Sequence, residues 1–383
     1  MSGPELPVEH AGEQAEEHLG ERPGGAAARA SSRAVAALVC GAVSVALVSL
    51  VALVPVPFAV ESPGPVRDVL SGEGDARLIS ISGAQTYPTS GSLDLTTVRV
   101  SGGPGRQVDL GLQVRAWLDG GSTALPEAAL FPPGASEEQV DASNAAAFLS
   151  SQQAAVVAAL TELGYDVPVR VVVTGLAEGS GAAGVLREGD VITSVDGAPV
   201  EGATSLRDAV QAAAASGGGG AVVRVGVVRD GQRAGPETVE VPLGTGDDGS
   251  AVLGVLVRED ADPPVDVQIA VDQIGGPSAG MVFALGVVDL LTPGEMTGGR
   301  TVAGTGTIDS AGRVGTIGGI QQKLLGARAA GATAFLAPAG NCGEVVGNVP
   351  EGLQVVAVST LAEARAAVEA VGRGEAEGLP GCS

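Results

Sequence analysis

The sequence predicts a multidomain α+β chain carried behind a single membrane-spanning helix. Three observations point there: an uncharged run near the N-terminus, period-two apolar alternation in several separate stretches, and long Ala-rich segments between them. At 383 residues the chain is long enough for two or three domains, each with its own core. Aromatics make up only 2% and there are 60 glycines, so the cores must be built from Val, Leu, Ile and Ala. A net charge of −23 supplies no basic field for a phosphate backbone, which sets nucleic acid aside as a partner. Both histidines, His10 and His18, lie close to the N-terminus. A Ser-His-Asp triad, a Cys-His pair and a His-ligated zinc are therefore unavailable downstream, and neither metal nor cofactor is expected.

Residues 1–33, rich in Glu, Gly and Ala without an apolar period, are expected to be a disordered cytoplasmic tail. Residues 34–60 carry no charge, and 34–54 precede the first proline of that run. At about 1.5 Å per residue this crosses a hydrocarbon core of roughly 30 Å, so a transmembrane helix is expected within 34–56. Arg22, Arg29 and Arg33 precede it, which puts the N-terminus in the cytoplasm and the remainder outside. A cleaved signal peptide is the competing reading, opposed by the long preceding segment and the lack of a clear small-x-small site. An external compartment permits a disulfide between Cys342 and Cys382, although spacing alone leaves two free thiols as the alternative.

Residues 57–163 are expected to form an extracytoplasmic β-rich region ending in a long helix. VPVPFAVESPGPVRDVL reads as a Pro-punctuated exit from the membrane, and RLISISG and LDLTTVRV as two strands. Ser136 and Gln139 form a capping box, from which a helix runs to Leu163. A further unit is expected over 164–246, with a helix at 205–215 and closing strands at 221–229 and 238–243. Its string GDVI-x-x-VDG-x-x-V resembles the PDZ domain of bacterial, protease-associated type. That resemblance implies binding of extended peptide ends by strand addition, with a carboxylate-binding loop near Leu163 to Tyr165. GTGDDGS at 244–250 reads as a flexible linker.

Val265, Val267, Ile269 and Val271 alternate with polar or small residues, marking a half-buried strand that ends at Asp272. Gly275-Gly276-Pro277-Ser278-Ala279-Gly280 then turns the chain, with Pro277 suited to the first helical position and MVFALGVVDLL continuing as an apolar helix to Pro293. Ser278 is thereby set at a helix N-terminus, where unpaired N–H groups favour a developing oxyanion. The 21 basic side chains include a single lysine, Lys323, in GGIQQKLLGA. It is expected in the first turn of a helix, where N–H dipoles and apolar neighbours lower its pKa. An amine so neutralised can take a proton from a serine hydroxyl, which an Arg guanidinium cannot do.

GGPSAG, followed 45 residues after its Ser by the Lys of GRVGTIGGIQQK, resembles the proteolytic domain of the Lon family, here over 250–372 with a tail at 373–383. The resemblance implies an α+β domain with Ser278 as nucleophile, Lys323 as general base and Thr305, from Thr305-Gly306-Thr307-Ile308, as the group orienting them. Beyond the Lys, Leu353 to Val358 reads as a strand, and Thr360 with Glu363 caps a helix stopping at Gly372. Two departures stand out. The acidic residue that Lon proteins commonly place before Gly-Pro-Ser is here Gly275, and no Walker A loop is present, since the one lysine follows Gln322. The full order of anchor, PDZ and Lon-type domain resembles the YlbL-like membrane-anchored proteases of Gram-positive bacteria, and the Ala, Gly, Val and Arg bias points to an actinobacterium. What this implies is a single-pass, ATP-independent serine endopeptidase acting on proteins or peptides outside the cytoplasm, with assembly as a homo-oligomeric ring. A non-catalytic PDZ scaffold is the alternative.

Overall fold

The computed structural model describes residues 32–72, 77–217, 221–229, 237–246, 249–270 and 275–382. Both histidines, nearly all of the expected 1–33 tail, and Val271 and Asp272 lie outside these residues. The apolar run forms a helix, Ser32–Ala52, whose span Ser32–Leu50 has a mean hydropathy of 2.1. Helix stops short of the expected residue 56. Pro55–Val56 instead pairs antiparallel with Val108–Asp109, because proline cannot donate the next helical bond.

The larger body is built on a six-stranded mixed sheet, in the order Gln354–Val358, Ala334–Pro338, Thr301–Gly304, Ser92–Ser101, Phe58–Asp68, Thr123–Pro126. The first four run parallel and the last two pairings are antiparallel. One face is covered by three helices: Glu137–Glu162, Gly280–Leu291 and Leu361–Arg373. Ile320–Ala329 covers the other. Nearly every residue of Gly280–Leu291 is buried, as an apolar helix without a polar face requires.

Residues 57–163, expected as a region of their own, are interleaved with this sheet. Leu93 and Leu95 have no exposed surface and need cover that the 57–163 segment alone does not supply, so their strand pairs with Thr301–Gly304. The supposed exit VESPGPV is itself strand. Its register shifts between Pro63 and Val66, which lets two prolines sit in a sheet without breaking the ladder. Gly64 is required at that shift, since a Cβ there would lie 2.8 Å from the Thr97 backbone.

The capping box at Ser136 and Gln139 is present. The last helix runs past Gly372 to Arg373 and ends on Gly374, whose φ of 77° admits the left-handed cap. Gly372 serves a different purpose: a Cβ there would meet Met296 O at 2.5 Å.

A second sheet has the order Glu237–Pro242, Val222–Val228, Val191–Val195, Val169–Leu176, Val255–Ala261, with the helix Ala203–Gly217 against it. Its edge strand, Val255–Ala261, lies beyond the expected boundary at 246. The presumed linker is partly a hairpin, Gly244–Thr245 paired with Ala251–Val252. Leu163 to Tyr165 is not at a sheet edge: Leu163 caps the long helix and Gly164 reverses the chain with φ 85°. The two edges of the sheet are instead Glu237–Pro242 and Val255–Ala261, the second preceded by Gly254.

Cys342 and Cys382 are disulfide-bonded across 40 residues. Cys382 packs beside the core under the Ile320–Ala329 helix. Closing a loop of this length contributes about 2–4 kcal/mol by restricting the unfolded chain. Reduction, or the paired change of both residues to Ser, should lower unfolding stability by about that amount in denaturant titration, whereas an unchanged midpoint would show that the bridge is not formed in solution.

Candidate active site

Ser278 and Lys323 line one cleft of about 670 Å³, together with Thr97, Arg99, Thr316 and Ile317. Pro277 does not start the helix as expected. Gly276, at φ 79°, reverses the chain, and the turn is pinned from two sides. Ser151 Oγ donates to Pro277 O at 2.9 Å and Gly306 N to Ser278 O at 2.9 Å. The helix then begins at Gly280, one residue after the Ala279 cap.

This placement changes which donors are free. Gly280 N is committed to Pro277 O at 3.4 Å, and Met281 N to Gly306 O at 3.1 Å. Among the described residues the N–H groups of Ser278 and Ala279 meet no protein acceptor, so the pair that can receive an oxyanion lies in the turn and not in the helix proper.

Lys323 reaches the cleft from the opposite layer. Its helix starts on Gly319, which is left-handed at φ 65°; a Cβ there would lie 2.5 Å from Val98 Cγ2. Glycine thus lets the helix begin hard against the Ser92–Ser101 strand. Lys323 N donates to Gly319 O at 3.1 Å, closing the first turn. Gln322 anchors the same turn by donating from Nε2 to Thr123 Oγ1 at 2.7 Å.

Lys323 is 3% exposed and Thr305 is fully buried. Lys323 Nζ donates to Thr305 Oγ1 at 3.0 Å, and Thr305 Oγ1 donates onward to Ser278 O at 3.0 Å. The three residues singled out in the sequence are therefore brought together, with Thr305 as the physical link. Burial lowers the Lys323 pKa to about 8. Desolvation dominates that shift, which is the part of the sequence expectation that rested on apolar neighbours.

Glu61 opposes it. This carboxylate, on the Phe58–Asp68 strand and 8% exposed, raises the Lys323 pKa by its charge. Its own carboxyl is held above the usual range by burial, against the pull of Lys323 and with a further push from Glu344. Sequence reasoning missed Glu61 because it lies 262 residues from Lys323 in a run read as a membrane exit. The one available signal was an acidic residue inside an apolar, Pro-rich stretch. Among the described residues no group of His, Cys, Asp and Glu is arranged to hold a metal.

Residues 267–368 match the Lon protease (S16) C-terminal proteolytic domain, and residues 159–228 match the PDZ domain. Lon protease 2 of Herpetosiphon aurantiacus is 42% identical over 106 residues, covering 26% of this chain and 13% of the relative. The Lon protease of Clostridioides difficile is 34% identical over 125 residues, covering 30% and 16%. Thus the chain spans well under a fifth of the length of these relatives. Among solved structures, the PDZ domain of an SdrC-like protein from Listeria monocytogenes aligns with 23% of this chain and 85% of its own, at 23% identity and a TM-score of 0.20. The chain thus carries one region similar to the PDZ domain and one similar to the Lon C-terminal proteolytic domain.

Proposed function

We propose that this protein is a membrane-anchored, ATP-independent endopeptidase that hydrolyses peptide bonds outside the cytoplasm through Ser278 and Lys323. The observation that carries this reading is the line of hydrogen bonds from Lys323 Nζ through Thr305 to the Ser278 carbonyl, inside a cleft that both residues line. With one N–H given to Thr305, the neutral amine keeps its lone pair for the Ser278 hydroxyl. Ser278 Oγ attacks the scissile carbonyl carbon as Lys323 takes its proton. The oxyanion meets the Ser278 and Ala279 amides. Collapse then returns the proton to the leaving amine and leaves an acyl-enzyme, which water attacks with Lys323 again as base.

Substrate is taken as extended chain. On the side facing Thr301–Gly304 the Ser92–Ser101 strand is paired only as far as Leu95, so residues 97–99, whose other side faces Phe58–Asp68, line the cleft with that first side unpaired among the described residues. No Walker A loop is present in the sequence to drive unfolding, so substrates are peptides or already unfolded segments. Recruitment falls to the PDZ domain, at the free side of Val255–Ala261 beside the helix Ala203–Gly217. The Arg residues ahead of the Ser32–Ala52 helix support an extracytoplasmic catalytic domain, and the disulfide fits an oxidising compartment.

The amine's charge state sets the pH dependence. A base works deprotonated, so acylation by a fluorophosphonate probe should rise about tenfold per pH unit below 8 and level off above it. Glu61→Gln removes the charge that favours the ammonium and should move that midpoint to lower pH. A midpoint near the ordinary lysine value of 10.5 would refute the mechanism. Ser278→Ala and Lys323→Arg should abolish labelling, and Thr305→Val should slow it by about 10²-fold through loss of orientation. A scaffold that is not an enzyme would leave wild type unlabelled as well.

Stability should also rise with pH, over the window between the two lysine pKa values. Because the folded Lys323 pKa of about 8 lies below its ordinary 10.5, protonation disfavours the native state. The cost, about 3 kcal/mol, is fully present below pH 8 and fades as pH rises toward 10.5. Lys323→Met should therefore be inactive yet more stable than wild type by about 1–3 kcal/mol at neutral pH, with the advantage shrinking above pH 8 in denaturant titrations.

A further inference from the structure

The helix Leu110–Leu118, sequence LGLQVRAWL, turns Gln113 and Ala116 inward and leaves a second face bare. On that face Val114 is 41% exposed, Trp117 66% and Leu118 83%. At about 100° per residue, Leu110, Val114, Trp117 and Leu118 fall within one arc of about 100°, an apolar stripe of the width a helix normally buries. Arg115 flanks the stripe, and the nine helical residues include no acid, in a chain whose acidic side chains outnumber the basic ones by 44 to 21.

The position of this helix identifies what covers it. Leu110 N donates to Val54 O at 2.9 Å, and Val108–Asp109 is paired with Pro55–Val56. Asp109 then caps the helix by accepting from Leu112 N at 2.7 Å. Val54 follows the last residue of the Ser32–Ala52 helix by only two positions. Two residues reach at most about 7 Å. The polar zone of a bilayer is itself roughly 5–7 Å deep on each side. Once Ser32–Ala52 spans the membrane, Val54 cannot leave that zone, and the first residue of Leu110–Leu118 is bonded to it.

We propose that Leu110–Leu118 is a membrane-surface helix, with Leu110, Val114, Trp117 and Leu118 in the boundary between headgroups and acyl chains and Arg115 on lipid phosphates. The inference rests on the reading of Ser32–Ala52 as a membrane anchor and adds a second lipid contact to it. Tryptophan suits this depth, with an apolar body and one polar N–H. An apolar helical face with a basic flank is the form that lies in the interface plane.

Trp117 is the only tryptophan in the chain, so its emission reports on this helix alone. The test uses the full chain reconstituted in vesicles of phosphatidylcholine and phosphatidylglycerol, with and without brominated acyl chains. The proposal expects blue-shifted emission, quenched at least about twofold by bromolipid and little by aqueous acrylamide. Leu118→Asp, which keeps the reporter, should lose most of the bromolipid quenching, with retention of fold checked by circular dichroism. Arg115→Glu should weaken the quenching more in anionic than in neutral vesicles. Emission indifferent to bromolipid, in chain that still resists alkaline carbonate extraction, would overturn this inference and leave the anchor standing. Emission shielded from both bromolipid and acrylamide would put a second copy of the chain on this face and also overturn it. Chain released by carbonate would remove the anchor reading and this inference with it.

Discussion

A primary amine enclosed by protein must either surrender its proton or find a counter-charge, and the arrangement around Lys323 offers both routes at once. Burial at 3% exposure favours the neutral form, while Glu61 favours the charged one. Burial prevails. The resulting pKa of about 8 leaves the amine mostly protonated at neutral pH, with a deprotonated fraction of about a tenth. The hydrogen bond to Thr305 is compatible with either form, because an amine and an ammonium both have an N–H to give. That bond fixes where Nζ sits, and the surrounding apolar wall fixes how often it is neutral.

Holding that amine dry takes parts from distant regions of the chain. Thr305 ends one parallel strand, Val98 and Gly319 bring the lysine helix against the next, and Glu61 sits on the third. Gln322 ties the same helix to the edge strand through Thr123. Strands from residues 58–126 and from 301–358 are therefore one structural unit, and the site is complete only when both are in place.

How far this was legible in the sequence depended on the range of the interactions involved. Ser278 and Lys323 could be picked out because local patterns mark them, two glycines and a proline before the serine and a lone lysine in a chain of arginines, whereas Thr305 was named only because the resemblance of the surrounding string to the Lon family implies it. The Ser136 and Gln139 capping box was equally readable, being a contact over three residues. Long-range pairing was not. Nothing in VESPGPV announces a strand, since its prolines are tolerated only at a register shift set by the partner strand. The same limit hid Glu61 and assigned residues 57–163 to a region apart. The oxyanion donors were misplaced by one turn because Gly276 and Ser151 hold Pro277 outside the helix, and those contacts are tertiary.

Interleaving also explains the position of the PDZ domain. Its first and last strands, Val169–Leu176 and Val255–Ala261, are antiparallel neighbours, with Val169 opposite Ala261 and Asp262 N bonded to Pro168 O at 3.3 Å. The domain is thus inserted into the protease unit through a two-stranded neck whose ends leave side by side. One side of the neck leads back to the long helix that holds Pro277 through Ser151. The other leads to Asp266–Ile269, which Gln152 of that helix grips through Ile269 O at 2.9 Å, a few residues ahead of Gly275. A peptide added to the free side of Val255–Ala261 lengthens the neck's own sheet by one strand. The strand that carries this free side is the same one that runs on toward Asp266–Ile269.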